Sequence, residues 1–291
     1  MMKALNVYAR RRKFKKYALI AIAISIVVIA ALLVLFPFVW MVPNALKDSR
    51  EIWTLPPRWI PKHFAWDNFG ALPEEDVNGG YFFRSFFVTL FEAIVATILN
   101  LSINMLAAYG FAKHEFKFKK LIWVLFIFTM FVPGITVQIT SIQVVTKLHL
   151  TNTLWVLILP TAANAYSIFF FRQFFLKIPT SLEESAELDG ATRLQIYTRI
   201  IIPLSKTPII IAAFGCFVGH WNSYIWPTLT ITENQENLRQ IMQFVYNLNN
   251  SNPTQYGKVV AATLVAMSVP IIAFSIFQKD IVEGISLSGN K

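Results

Sequence analysis

Six long apolar stretches constrain the fold of this 291-residue chain more strongly than any other feature of its sequence. They lie near 17–42, 84–112, 120–144, 152–175, 205–231 and 257–278. Each has the roughly 20 residues that an α-helix needs to cross a lipid bilayer. Only 14% of the residues are charged and 55% are hydrophobic, which excludes an ordinary soluble domain. We therefore predict an all-α, polytopic membrane protein with six transmembrane helices, five of which form a core over 84–278.

The first apolar stretch follows a basic segment, residues 1–16, that contains Arg10-Arg11-Arg12-Lys13. A basic segment of this kind also begins a secretory signal peptide. However, the apolar run of 17–42 is too long for the apolar region of a signal peptide, and no small-residue cleavage site follows it. We predict a retained first transmembrane helix at 17–42.

The distribution of Lys and Arg predicts the orientation, because cytoplasmic loops of membrane proteins carry an excess of these residues. With the N-terminus inside, about 18 of the 26 basic residues fall in inner segments and about 8 in outer ones. Both ends, 1–16 and 279–291, are then cytoplasmic, as is the segment 177–204. The segments 43–83 and 232–256 are extracytoplasmic. We assign the net charge of +10 to the inner segments and predict no nucleic-acid partner.

Prolines are predicted to interrupt the spans. They are Pro37, Pro133 (followed by Gly134), Pro160, Pro208 and Pro270. Such breaks are tolerated in a membrane where neighbouring helices or a water-filled cavity satisfy the freed backbone groups.

A charged, amphipathic segment, 177–204, separates the fourth and fifth apolar stretches. A charge at bilayer depth costs roughly 2.5–3.5 kcal/mol, so this segment must lie at the membrane surface. We predict Ser181 as a helix N-cap with Glu184 as its capping-box partner. Gly190 is predicted to permit a sharp turn between two short helices. The predicted apolar face consists of Leu182, Ala186, Leu194 and Ile196. An ordinary interfacial amphipathic helix is the alternative interpretation.

The spacing in this segment resembles the EAA motif of ATP-binding-cassette (ABC) importer permeases. The motif reads Glu-Ala-Ala, three residues, Gly, nine residues, Ile, one residue, Leu-Pro. This chain has Glu184-Ser185-Ala186, Gly190, Ile200 and Ile202-Pro203, so Ser185 and Ile202 depart from the pattern. The resemblance implies that a separate ATPase docks here. The residues implied in this coupling are Glu183, Glu184, Ala186, Glu187, Asp189, Gly190, Arg193 and Pro203.

Three further stretches resemble the carbohydrate-uptake permeases, in particular the MalG-like subunit related to the second permease of the maltose transporter. They are residues 45–61, residues 221–227 (WNSYIWP) and residues 277–284 (FQKDIVEG). The likeness covers about 36 to 289, but the usual glycine-and-valine tail is missing. It implies a type I ABC importer permease in a bacterial cytoplasmic membrane. The implied partners are a homologous permease forming a heterodimer, two copies of an ABC ATPase and an extracytoplasmic substrate-binding protein.

The chain contains no Gly-x-x-x-x-Gly-Lys-Ser/Thr phosphate loop. We therefore expect no enzymatic activity, catalytic residue, metal site or cofactor on this chain; ATP and Mg would be bound by the partner ATPase. The single cysteine, Cys216, lies in an apolar run and is interpreted as a packing residue.

Polar residues inside the spans indicate a substrate pathway, because intramembrane polar groups are expensive and usually functional. The candidates are Glu92, Asn100, Asn104, Gln138, Asn164, His220 and Asn222. Glu92, Asn100, Gln138 and Asn222 are predicted to face a central aqueous cavity shared with the partner permease. The alternative for Glu92 is an interhelical hydrogen bond or a contact to the partner permease, and for His220 a packed or hydrogen-bonded histidine.

The outer loop 232–256 is predicted to contact the binding protein. Its candidate residues are Asn247, Asn249, Asn250 and Asn252. Together these features predict a permease subunit of a binding-protein-dependent importer of an oligosaccharide or other carbohydrate. A proton-coupled secondary transporter that uses Glu92 and His220 is the alternative, although it would not need the segment 177–204.

Overall fold

The computed structural model describes residues 2–77, 80–232, 235–251 and 254–289, with side chains from residue 15 to residue 284 within those ranges. Helices dominate, and the described strands form one two-stranded antiparallel hairpin, β1 (Asp76–Val77) with β2 (Gly80–Tyr81). Two compact units are present, one formed by 1–70 with 254–264 and the other by 71–253 with 265–291.

The first unit is built on a long N-terminal helix. Its elements are α1 (Met2–Ala45), α2 (Ser49–Ile52), α3 (Asp67–Gly70) and the beginning of the last helix of the chain, α15 (Tyr256–Gly289). From residue 15 to residue 45 α1 is long and apolar enough to cross a membrane, and none of its most apolar stretch is buried within the chain. A helix with apolar side chains all around it is what a lipid environment requires.

Lys47 stabilises the segment of the first unit that follows α1. Its side chain is buried, its ammonium donates hydrogen bonds to Asn44 Oδ1 at 2.8 Å and to the carbonyl of Arg58, and it lies 5.0 Å from the centre of the Trp40 ring. Burial lowers the pKa of Lys47, an effect that the charge of Glu51 partly opposes. The amine thus ties the segment after α1 to the chain eleven residues further on.

The second unit contains the remaining helices. They are α4 (Phe82–Lys113), α5 (Lys119–Thr129), α6 (Gly134–Lys147), α7 (Leu154–Ile158), α8 (Ala165–Phe175), α9 (Thr180–Leu188), α10 (Arg193–Ile196), α11 (Ile202–Leu204), α12 (Lys206–Trp221), α13 (Ile225–Thr230), α14 (Ile241–Ser251) and most of α15. Short 3₁₀ turns cover Leu159–Thr161 and Glu236–Leu238, and a π-helical turn covers Tyr197–Ile201. The central element is α4, which packs against both α8 and α12.

The described helices give up to six candidate spans, the number that the sequence predicts. The fifth differs in its bounds, because it includes Arg193–Leu204, which the sequence predicts at the membrane surface, and ends at Trp221. Three single helices qualify, within α1, α4 and α15. Three further spans are bent pairs: α5 with α6 at 102°, Leu154–Thr161 with α8 at 45°, and Arg193–Leu204 with α12 at 79°. The count of six holds when each bent pair is taken as one broken span.

Proline accounts for two of the three bends. Pro133 directly precedes α6, and Pro160 lies in the 3₁₀ turn between α7 and α8. The prediction that prolines also interrupt the other spans is wrong, since Pro37, Pro208 and Pro270 lie inside continuous helices. Pro208 lies in the first turn of α12, where its missing N–H deprives the helix of no hydrogen bond.

Two buried asparagines on α4 stabilise the break between α7 and α8. Asn100 donates to the carbonyl of Thr161 at 2.9 Å, and Asn104 donates to the carbonyl of Ala162 at 3.0 Å. The Oδ1 of Asn104 accepts the backbone N–H of Asn164 at 3.0 Å. Since a broken helix in a membrane must find partners for its freed backbone groups, these side chains are structural. The expectation that Asn100 faces an open cavity is therefore wrong.

Candidate functional site

The segment 177–204, which we call the surface segment, folds into two short helices joined by a glycine turn, as predicted. Gly190 has a φ of 80°. Its N–H donates to the carbonyl of Glu187 at 3.0 Å, and the N–H of Ala191 donates to the carbonyl of Ala186 at 2.9 Å. This pair of bonds forms a Schellman motif, in which the residue after the C-cap adopts the left-handed conformation that glycine tolerates best.

The predicted capping box is wrong in position. Ser181 lies inside α9, which begins at Thr180 after Pro179, and in the described structure no side chain caps that end. The capping box belongs to α10, where Thr192 Oγ1 accepts the N–H of Gln195 at 3.3 Å and Gln195 Oε1 accepts the N–H of Thr192 at 2.7 Å. Both stretches carry the Ser/Thr-x-x-Glu/Gln pattern, so the sequence alone did not distinguish them.

The surface segment presents an exposed face of mixed character. Its exposed charged residues are Lys177, Glu184, Glu187, Asp189, Arg193 and Arg199. Leu188 is 90% exposed and Leu194 66% exposed, beside these charges. Of the predicted apolar face, Ile196 and half-buried Ala186 pack into the hydrophobic core, whereas Leu182 and Leu194 are exposed. Exposed leucines rimmed by charges are typical of a surface that binds a protein partner.

The opposite side of α9 is anchored to α4 through an ion pair. Lys113 Nζ lies 2.6 Å from Glu183 Oε1 and donates to the carbonyl of Ile178 at 2.7 Å. In return, Arg172 Nε donates to the carbonyl of Phe111 at 3.2 Å. Arg172 thus places a cation at the last turn of α4, a favourable arrangement at the negative end of the helix dipole, while Lys113 binds a carbonyl just beyond the end of α8. Glu183 therefore forms part of this contact with α4 and is not exposed, unlike Glu184 and Glu187, with which it was grouped as a coupling residue.

A cavity of about 250 Å³, with an apolar wall that carries several polar side chains, lies in the second unit beside α4. Glu92, which is 3% exposed, places Oε1 2.7 Å from Nδ1 of His220 on α12. Nε2 of His220 lies 3.3 Å from Oγ1 of Thr161 in the 3₁₀ turn. The other lining residues are Val137, Gln138, Ser141, Leu157, Pro160, Ser223, Trp226, Pro227 and Gln240. Five separate segments of the chain thus line the cavity around the Glu92–His220 contact.

Three of the predicted pathway residues, Glu92, Gln138 and His220, meet in this cavity. Asn164 caps α8 by accepting the N–H of Ser167 at 2.7 Å. Asn222 is exposed at the C-terminal end of α12. The cavity also includes two residues that sequence reasoning missed, Thr161 and Gln240. Thr161 directly follows the helix-breaking Pro160, and this position next to a predicted break could have identified it as a candidate.

The segment 232–256 contains a helix where a loop was predicted. Ile241, Phe244 and Leu248 of α14 recur at helical spacing and are fully buried. Asn247 is half-buried, and Asn249 and Asn250 are exposed on the last turns. Asn252 lies outside the described residues.

Residues 102–284 match the model of the binding-protein-dependent transport system inner membrane components. The chain belongs to this family. It is a permease subunit of an ABC importer, and its location is the membrane, as the sequence predicted.

Relatives match this permease over most of its length. The sn-glycerol-3-phosphate transport system permease protein UgpE of Yersinia enterocolitica is 29% identical over 261 residues, which cover 89% of this chain and 92% of the relative. The arabinooligosaccharides transport system permease protein AraQ of Bacillus subtilis is 29% identical over 269 residues, covering 90% and 92%. The probable ABC transporter permease protein YurM of Bacillus subtilis is 32% identical over 260 residues, covering 86% and 82%.

The fold of the permease also matches a solved structure. A chain of a bacterial ABC transporter involved in the import of the acidic polysaccharide alginate superposes with a TM-score of 0.74 at 22% sequence identity, covering 89% of this permease and 94% of that chain. The predicted fold class, an all-α ABC importer permease, is therefore confirmed.

Proposed function

We propose that this permease carries a carbohydrate into a bacterial cell as one half of a heterodimer with a homologous permease. Two copies of an ABC ATPase would bind ATP and Mg and drive transport, and an extracytoplasmic binding protein would deliver the substrate. The names of AraQ and of the lactose permease protein LacG of Rhizobium radiobacter support a sugar. The name of UgpE, in contrast, denotes a phosphorylated solute, so the names leave the charge of the substrate open.

The observation that carries this proposal is the two-sided construction of the surface segment. One side is anchored by Lys113 and Glu183, and the other exposes Glu184, Leu188 and Leu194. A helix that is fixed to the transmembrane core and exposes leucines has the properties of a docking element. We assign ATPase docking to the exposed residues of the segment, and the shape of its turn to Gly190.

The proposed topology places the surface segment in the cytoplasm with the two ends, 1–16 and 279–291. The segments 43–83 and 232–256 would face the binding protein, with Asn247, Asn249, Asn250 and Asn252 as contact residues. The excess of Lys and Arg in the inner segments supports this orientation.

Uptake measurements in proteoliposomes test the proposal. The full transporter, with its co-expressed ATPase and binding protein, should accumulate a labelled neutral oligosaccharide only when ATP is present on the cytoplasmic side. Accumulation driven by a proton gradient without ATP would contradict the proposal. That result would favour a secondary transporter that uses the buried Glu92–His220 pair.

A further inference from the structure

We propose that the cavity beside α4 is a binding site for one ring of a neutral, polyhydroxylated solute and that it discriminates against anions. That the bound solute is also the transported one rests on the proposed function. The site itself rests on the geometry of the cavity.

The first argument is an unsatisfied acceptor. Gln240 is 1% exposed and lines the cavity, and its Oε1 has no hydrogen-bond partner among the residues that the structure describes. Its amide group donates to the carbonyl of Leu238 at 3.3 Å, which fixes the orientation of the side chain. Buried polar atoms are nearly always paired, so an orphan in a cavity wall indicates a ligand that donates a hydrogen bond. A sugar hydroxyl is such a donor.

The second argument is the composition of the rest of the wall. Gln138, Ser141 and Ser223 supply neutral donors and acceptors and are only half-buried, so they are accessible from the open side of the cavity. The indole of Trp226 forms an apolar part of the wall, and its Nε1 donates to the carbonyl of Val156 at 2.9 Å. This bond satisfies the polar atom of the indole and leaves the ring as a rigid apolar surface. Neutral hydrogen-bonding groups beside an aromatic ring suit a pyranose or furanose ring.

The third argument concerns charge. The cationic candidate in the wall is His220, and its Nδ1 already faces the carboxylate of Glu92 at 2.7 Å. Among the described lining residues there is no lysine or arginine. An anion that enters would lose its hydration without meeting an unpaired cation, whereas a neutral solute exchanges water hydrogen bonds for those of the wall. The lack of an unpaired cation in the described wall therefore disfavours an anion relative to a neutral solute.

The size of the cavity limits the site to one ring. Its volume of about 250 Å³ is below the roughly 300–1,000 Å³ that is usual for pockets that enclose a drug-sized ligand. An oligosaccharide would have to pass through ring by ring.

The test is the charge dependence of thiol labelling at Ser223→Cys in a Cys216→Ser background, in membrane vesicles that contain the full-length chain with its co-expressed partners. A neutral hydroxyethyl and an anionic sulfonatoethyl methanethiosulfonate of similar size are compared. Taking the ratio of the two labelling rates removes the effect of the intrinsic reactivity of the thiol at each position. The control is Ser181→Cys on the exposed surface segment. We expect the neutral-to-anionic rate ratio to be at least about tenfold higher at 223 than at 181.

Two further measurements keep the test decisive. In Gln138→Lys, which adds an unpaired cation to the wall, the ratio at 223 should fall at least about fivefold. In the protein without this change, 100 mM glucose should slow labelling at 223 at least about twofold, and 100 mM glucuronate should not. Equal ratios at 223 and 181, or equal protection by both sugars, would overturn the proposal. Selective labelling in a chain that recruits no ATPase would instead contradict the proposed function and leave the binding site standing.

Discussion

At the scale of single residues, the adjacent Glu183 and Glu184 lie in different environments on the same helix. Successive residues on a helix point about 100° apart. Glu183 consequently pairs with buried Lys113, while Glu184 faces solvent. The two carboxylates are indistinguishable by residue type, yet one stabilises the fold and the other is available for a partner.

We expect Glu184→Ala to weaken docking without affecting folding. Because the side chain is exposed, the amount of permease in the membrane should stay at the wild-type level. Co-purification of the ATPase should fall about tenfold, as expected for loss of a charged contact at an interface. Glu115→Ala is the matched control, since Glu115 is an exposed acid outside the surface segment that pairs with Lys119. Equal recovery of the ATPase with both variants would show that the segment is merely interfacial.

Gly190 leads to a prediction about backbone conformation. A Cβ at this position would meet open space, so any effect of substitution comes from the φ of 80° and not from a clash. A β-branched residue in this conformation should cost at least about 1–2 kcal/mol, whereas asparagine tolerates it. Gly190→Val should therefore lower ATPase co-purification and uptake more than Gly190→Asn. The measurement is the amount of ATPase that co-purifies with each variant. Equal amounts for Gly190→Val and Gly190→Asn would contradict the explanation by backbone strain.

At the scale of elements, a buried ion pair connects α9 to α4. The side chains of Lys113 and Glu183 are 4% and 13% exposed, so the removal of one partner leaves a buried charge. In this way α9 is held to the helix that carries Glu92 further along its length.

We expect a non-additive double-mutant cycle for this ion pair. Glu183→Gln and Lys113→Met should each lower the apparent thermal midpoint and the amount of substrate transported per ATP. The double variant should lose less than the sum of the two, with a coupling of about 1–3 kcal/mol. Fluorescence-detected thermal unfolding and uptake in proteoliposomes give the two readouts. Strictly additive losses would indicate that the ion pair does not act as a unit.

The sequence predicts the elements that depend on local pattern. The six spans follow from apolar length, and the bends at Pro133 and Pro160 follow from proline chemistry. The Gly190 turn was also correct. The roles of Asn100 and Asn104 were not predictable, because the backbone groups that they satisfy lie about 60 residues away, in the break between α7 and α8. For the same reason Gln240 was missed, since only the fold brings it to the cavity.

At the scale of the whole molecule, the testable property is the orientation in the membrane. Single cysteines at Arg50, Glu74 and Asn250 in a Cys216→Ser background should react with a membrane-impermeant maleimide added to intact cells. A cysteine at Glu187 should react only after permeabilisation. All four positions are exposed, so a lack of reaction reports sidedness and not burial. Labelling of position 187 in intact cells would reverse the orientation and remove the basis for ATPase docking.

The two-sided α9 has a consequence for how such transporters diversify. The residues that hold the helix in place and the residues that face outward do not overlap, so substitutions on the outer side leave the anchor to α4 intact. We therefore expect substitutions at Glu184, Glu187, Leu188 and Arg193 to change which partner this side binds without refolding the permease.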